Sequence, residues 1–184
     1  RLVYNGIAIQ YRSLGEYDLA LKYYNLTEKC YIAGDKFNKR AKTGLYTNIG
    51  NVYRSKLDYN QALLYFNRTL QAYREDQEST IEDIASVNYK IADIYYLIND
   101  YSKAEEIIHA NIENADPFDQ IRFYELLAYI NQDQKNYLEA KKSYQKVIDL
   151  TVLLKEDDAI SEIEVAIQNL NYSSFLIEIN EFEE

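Results

Sequence analysis

The stretch Asn48-Ile49-Gly50-Asn51-Val52-Tyr53, followed by Asp58-Tyr59 and Ala62, decides the fold. A small residue, Gly50, stands nine positions before an aromatic, Tyr59. A second small residue, Ala62, stands three positions after it, and a large one, Phe66, four beyond that. The same ruler fits the rest of the chain. The aromatics Tyr17, Tyr59, Tyr101, Tyr137 and Phe182 are spaced 42, 42, 36 and 45 apart. Nine before them lie Ala8, Gly50, Ala92, Ala128 and Ser173. After the first four come Ala20, Ala62, Ala104 and Ala140, and then Tyr24, Phe66, Ile108 and Tyr144. Six before the first three stand Tyr11, Tyr53 and Tyr95, where the later two units have Asn131 and Leu176. Self-similarity at such a period is the mark of a stacked array.

The recurring sizes have a mechanical meaning. Each unit reads as a helix A, a tight turn and an antiparallel helix B. Two helices approach closely only where side chains are small, so the small site in helix A meets the Ala of helix B. The large residues one turn away fill the flanking space. Segments such as Gly15-Glu16 and Asn99-Asp100 turn the chain between the two. A single pair cannot bury its apolar faces alone, so pairs must stack.

Composition narrows the remaining classes. In 184 residues there are 5 Gly and 1 Pro, too few turn formers for a sandwich or barrel. One Cys excludes a disulfide framework and a cysteine-based zinc site, and one His disfavours metal sites and acid–base triads. No cofactor or metal is expected. Uncharged apolar stretches fall far short of a membrane span, so no membrane insertion is expected. The absence of Met suggests a fragment, and the array is expected to continue beyond Glu184. Charge divides along the chain. Residues 1–75 hold 12 Lys and Arg against 6 Asp and Glu, a formal +6; residues 76–184 hold 8 against 24, a formal −16. The net −10 argues against nonspecific nucleic-acid binding. The split is equally compatible with ordinary solvated helix faces.

At these residues the chain resembles the tetratricopeptide repeat family, most closely over Asn48–Tyr53, Asp58-Tyr59 and Ala62. The resemblance implies an all-α, right-handed α-α superhelix of about nine helices. It covers four full units, 1–42, 43–84, 85–120 and 121–165, and a partial fifth, 166–184. The units are longer than the family's roughly 34 residues. The family's Trp is replaced by Tyr4, Tyr46, Asn88, Tyr124 and Asn169, and its Pro closing helix B is absent. Helices are expected near 2–14, 17–33, 36–56, 59–76, 80–98, 101–114, 117–134, 137–155 and 158–179. Boundary chemistry fits: Gly34-Asp35 as a helix end and a new cap, Ser79-x-x-Glu82 as a capping box, and Asp116-Pro117 as a cap before a first-turn Pro.

Isolated reactive residues carry little. His109 lacks a second His, and Cys30 is a lone thiol on a helix, so packing or surface roles suit both. Glu105-Glu106 and Glu156-Asp157-Asp158 read as solvated runs, the last at a helix start that favours acids. The sequons Asn25-Leu26-Thr27, Asn67-Arg68-Thr69 and Asn171-Tyr172-Ser173 fall within helices whose Thr27, Thr69 and Tyr172 should face neighbours. Most of the 20 Tyr occupy repeat-core sites.

The resemblance implies a concave groove lined by the A helices and holding a peptide or protein segment. The repeat register assigns to it Asn5, Ile9 and Arg12; Thr47, Asn48, Asn51, Arg54 and Ser55; Ser86, Tyr89, Lys90, Asp93 and Leu97; and Arg122, Glu125, Tyr129, Gln132 and Asp133. Asn48 and Asn51 offer donor and acceptor together and suit a peptide unit. Arg12, Arg54 and Arg122 suit carboxylates, and Tyr89 and Tyr129 suit apolar side chains. The family's carboxylate clamp maps onto Asn5, Ile9, Asn48, Ser86 and Lys90; only Asn48 is identical and Lys90 keeps the charge, so chaperone-tail binding is not expected.

The expected function is a non-catalytic module that binds a protein or peptide. One alternative is a regulatory input domain of a bacterial signalling protein, a sensor kinase or a transcription regulator, whose output domain lies elsewhere. Another is self-association into a homo-oligomer, basic front on acidic back. The lone Cys fits the cytoplasm and also a bacterial periplasm.

Overall fold

The structure, a computed structural model, describes residues 2–33, 39–75, 79–156 and 160–181. Among them it is an all-α superhelix. Its helices are α1 (Leu2–Ser13), α2 (Tyr17–Ala33), α3 (Lys39–Ser55), α4 (Tyr59–Arg74), α5 (Ile81–Leu97), α6 (Tyr101–Asn111), α7 (Pro117–Asp133), α8 (Tyr137–Glu156) and α9 (Glu162–Glu181). Odd-numbered helices take the A position and even-numbered helices the B position. Within each pair the two helices pack most heavily on each other, and successive pairs stack.

The turns explain why pairing is so regular. Gly15, Leu57, Asn99 and Lys135 all adopt positive φ, at 78°, 62°, 61° and 61°. At each, two reversed bonds close the A helix. Glu16 N donates to Tyr11 O at 2.9 Å and Gly15 N to Arg12 O at 3.1 Å. The same pair recurs from Asp58 to Tyr53 and Leu57 to Arg54, from Asp100 to Tyr95 and Asn99 to Tyr96, and from Asn136 to Asn131 and Lys135 to Gln132. This left-handed cap satisfies carbonyls that a helix end orphans. Asp58 and Asp100 then cap the next helix by accepting from Gln61 N and Lys103 N. A two-residue reversal thus ends one helix and starts its partner.

The core sits between the paired helices. Ala8, Ala20, Ala62, Ala92, Ala104, Ala128 and Ala140 are fully buried, as are Tyr24, Phe66 and Ile108. A Cβ built on Gly50 would stand 2.6 Å from a ring carbon of Phe66, so this crossing admits only glycine unless the ring moves. Tyr11 stacks on Tyr23 at 5.4 Å, and Tyr53 on Tyr65 at 5.6 Å. The hydroxyls of Tyr24 and Ser79 are buried without a hydrogen-bond partner among the described residues. Thr27 and Thr69 are buried and donate back to Tyr23 O and Tyr65 O, so two of the three sequons point their threonine inward.

Several boundaries differ from the sequence expectation. The capping box before α5 is built by Thr80 and Asp83, one residue later than Ser79 and Glu82: Asp83 N donates to Thr80 Oγ1 at 3.2 Å and Thr80 N to Asp83 Oδ2 at 3.0 Å. Helix α6 stops at Asn111 and tightens into a 3-10 turn over Ile112–Asn114, where Asn111 spends its side chain on Ile107 O and on Asn88. Asp116 caps α7 with Pro117 in its first turn, as expected. Helix α9 begins at Glu162, not 158, because Ser161 and Glu164 form a reciprocal cap there. Ser173 is exposed rather than at a helix crossing; α9 meets α8 through Phe175, whose ring centroid lies 4.9 Å from that of Tyr144. The Gly34-Asp35 signal and Asp157-Asp158 lie outside the described residues, as does Phe182.

Candidate functional site

Turning each A helix by the same cap sets the A helices side by side along one face. Side chains bridge them. Arg54 of α3 donates from Nε and Nη2 to both carboxylate oxygens of Asp93 on α5, at 2.5 and 3.0 Å. Tyr89 of α5 meets Phe123 of α7 edge-on at 5.6 Å. Tyr96 of α5 faces Tyr129 of α7 at 6.4 Å. Gln132 of α7 donates to Glu178 of α9 and accepts from Tyr144 Oη at 3.2 Å.

Charges on this face are largely paired off. Asp93 is 8% exposed and takes the whole fork of Arg54. Arg122 donates to buried Asp119 at 2.9 Å, and its guanidinium lies 5.9 Å from the Tyr89 ring. Lys90 sits between these two arginines. Burial, and then the nearby Arg122, push its ammonium below the usual lysine range, although Asp119 and Asp93 oppose that. Burial pushes the Tyr89 hydroxyl up to about 12, helped by Asp93 and Glu125. Burial also raises Glu125, against a hydrogen bond from Gln168 of α9 and the charge of Arg122.

The residues assigned to the face from the sequence therefore divide. Asn48 and Asn51 are half-buried and have no side-chain partner among the described residues, which leaves their amides available. Arg12, Asn5 and Ser86 are half-buried, Ser55 and Leu97 exposed. Tyr129 is exposed at the opening between α5 and α7. Arg54 and Arg122 are committed to Asp93 and Asp119, so their forks serve the fold before any ligand. Thr47 turns toward Thr69 of α4 at 3.4 Å, and Ile9 packs against the core of the first pair. Asp133 accepts from Tyr101 Oη at 3.1 Å.

The register anticipated none of the openings between helices, of which two stand out. The larger, about 620 Å3, lies on the B-helix side between α6, α7 and α8, bordered by Glu105, His109, Tyr124, Leu127, Lys142 and Lys146. The smaller, about 280 Å3, lies on the A-helix side between α5, α7 and α9. No group of His, Cys, Asp and Glu among the described residues is arranged to hold a metal ion. No described helix is long and apolar enough to cross a membrane.

Comparison with known proteins agrees with this geometry. The tetratricopeptide repeat family matches residues 121–151, which span most of α7 and most of α8. The crystal structure of BtubC (BKLC) from P. vanneervenii superposes with a TM-score of 0.72 at 16% identity, over 83% of this chain and 63% of that one. The chain therefore spans less than two thirds of that protein's length. No curated protein matches. The chain is a tetratricopeptide-like helical-repeat protein. Repeats of this class generally mediate protein–protein interaction and are generally non-catalytic.

Proposed function

We propose that this chain is a non-catalytic module that binds a polypeptide segment along its A-helix face. The observation that carries the reading is the pair Asn48 and Asn51 on α3. Both amides are unpartnered among the described residues, on a face where Arg54 is paired with Asp93 and Arg122 with Asp119. An amide presents one acceptor and two donors, the complement of a peptide unit. The Arg54–Asp93 pair ties α3 to α5 and the Tyr89–Phe123 contact ties α5 to α7, so little ordering is left for the moment of binding. The units 1–42, 43–84, 85–120 and 121–165, with a partial fifth from 166, each present one A helix to that face.

The test is a peptide library displayed against the chain, with selected peptides measured on the wild type and on Asn48→Ala/Asn51→Ala. Loss of about 1–3 kcal/mol of binding with unchanged thermal stability supports the assignment. Unchanged binding moves the site elsewhere. Arg54→Ala is a poor probe here. It strands Asp93 at 8% exposure and should cost about 1–2 kcal/mol of stability, less than a fully buried pair because Arg54 is 44% exposed.

A further inference from the structure

The A-helix side opening between α5, α7 and α9 has a chemistry of its own. Three tyrosines line it: Tyr96, Tyr129 and Tyr144. The rings of Tyr96 and Tyr129 lie 6.4 Å apart at 33°, and Tyr144 meets Tyr129 edge-on at 6.3 Å. Phe175 and buried Tyr144 close the back. Two carboxylates, Asp133 and Glu178, stand at the opening.

The decisive feature is what holds those carboxylates. Asp133 accepts from the Tyr101 hydroxyl and lies beside the Tyr96 hydroxyl, and Glu178 accepts from the Gln132 amide. All of these donors are neutral. They fix the carboxylates without cancelling their charge. Among the described residues no Lys or Arg forms an ion pair with either acid, whereas Arg54 and Arg122 neutralise Asp93 and Asp119 on the same face. The Tyr96 hydroxyl is pushed up to about 12, by burial first and then by the charge of Asp133. Tyr144 is raised as well, by burial and then by Tyr129, Glu125 and Glu178.

Aromatic faces beside fixed, unbalanced carboxylates are built for an organic cation. A ring offers its negative face, and the carboxylates supply the counter-charge. The opening, about 280 Å3, admits one long side chain rather than a folded element. It continues the same A-helix face as Asn48 and Asn51. We propose that this pocket binds the lysine side chain of a basic peptide segment; the peptide source rests on the polypeptide-binding reading above. Binding transfers no atoms: the ammonium keeps its protons and donates to Asp133 and Glu178.

The test uses the chain with 13C-labelled tyrosine rings, followed by NMR. The probes are two Gly/Ser-spaced peptides of equal length, one bearing lysines and the other norleucines, and free spermidine. The lysine peptide should shift the Tyr96, Tyr129 and Tyr144 ring signals and bind at least about tenfold more tightly than the norleucine peptide. Asp133→Asn/Glu178→Gln should remove about tenfold of that affinity, and Tyr129→Leu, which keeps apolar bulk without the ring face, should weaken it as well. Equal binding of the two peptides overturns the proposal. Spermidine that moves the same rings and binds as tightly as the lysine peptide overturns the peptide source. Rings left unmoved by every cation also overturn it, while peptides selected against Asn48 and Asn51 judge the polypeptide reading separately.

Discussion

Replacing Gly50 by alanine should destabilise the fold, although alanine is the better helix former. The substitution gains about 1 kcal/mol of helix propensity. Against that, the new Cβ would lie 2.6, 2.8 and 3.1 Å from three ring carbons of Phe66. Ordinary contact begins near 3.4 Å, so the ring or the helix must give by most of an ångström. Phe66 is fully buried with Ala62 and Leu70 around it and has nowhere open to go. Overpacking of this kind costs about 1–3 kcal/mol, so the net loss should be about 1 kcal/mol, or roughly 2–4 °C in Tm for a chain of this size. The third unit shows one remedy, whereas Ala8 and Ala128 of the first and fourth stand with Tyr24 and Tyr144. Ala92 lives opposite Ile108, where a narrower side chain stands in the place of Phe66. Phe66→Ile alone should leave a cavity and lower stability, yet Gly50→Ala/Phe66→Ile should be more stable than the sum of the single losses by about 1 kcal/mol. Urea titrations followed by circular dichroism measure all four proteins. A stabilising Gly50→Ala, or additive losses, would refute the claim that bulk at this crossing is shared between two helices.

Two further outcomes follow from the same geometry. Leu57 is 71% exposed at φ 62°, so its side chain gains little and its backbone is strained; Leu57→Gly should raise stability by up to about 1 kcal/mol in a denaturant titration, the relief of roughly 1–2 kcal/mol being partly offset by chain entropy. Glu125 is raised above the ordinary carboxylate range, chiefly by burial. The fold therefore favours its protonated form, and that contribution is full at acid pH and fades as pH rises through the raised value. Glu125→Gln should accordingly stabilise the protein at neutral pH and leave its stability near pH 4 almost unchanged, as read from paired thermal melts.

The architecture was legible because packing repeats. Ala20, Ala62, Ala104 and Ala140 recur at the expected helix crossings, and all four are fully buried. What escaped the sequence depends on geometry rather than residue type. Leu57 and Lys135 adopt the left-handed cap because the turn demands it, although neither favours it. Ser79 and Thr80 are equally good caps on paper, and it is Thr80 that pairs with Asp83. The reciprocal cap of Ser161 and Glu164 was readable as Ser-x-x-Glu, yet the acidic run before it drew the boundary earlier. On the A-helix face the register assigned Lys90 together with Arg54, Asp93 and Arg122, which lie within electrostatic reach of it. It gave no sign that two of them pair across helices, since residues 39 positions apart have no sequence relation. The tyrosine–carboxylate pocket was equally hidden, because Tyr96, Tyr144 and Glu178 meet only once α9 lies against α7 and α8.

The most direct measurement of the central claim is site-specific photo-crosslinking with a selected peptide. A photoreactive residue replaces Asn51 on the A-helix face or Lys146 beside the B-helix opening, and mass spectrometry reads the adducts. The account predicts crosslinks from position 51 and none from position 146. Crosslinks confined to position 146 would place the binding surface on the opposite side of the array and contradict it.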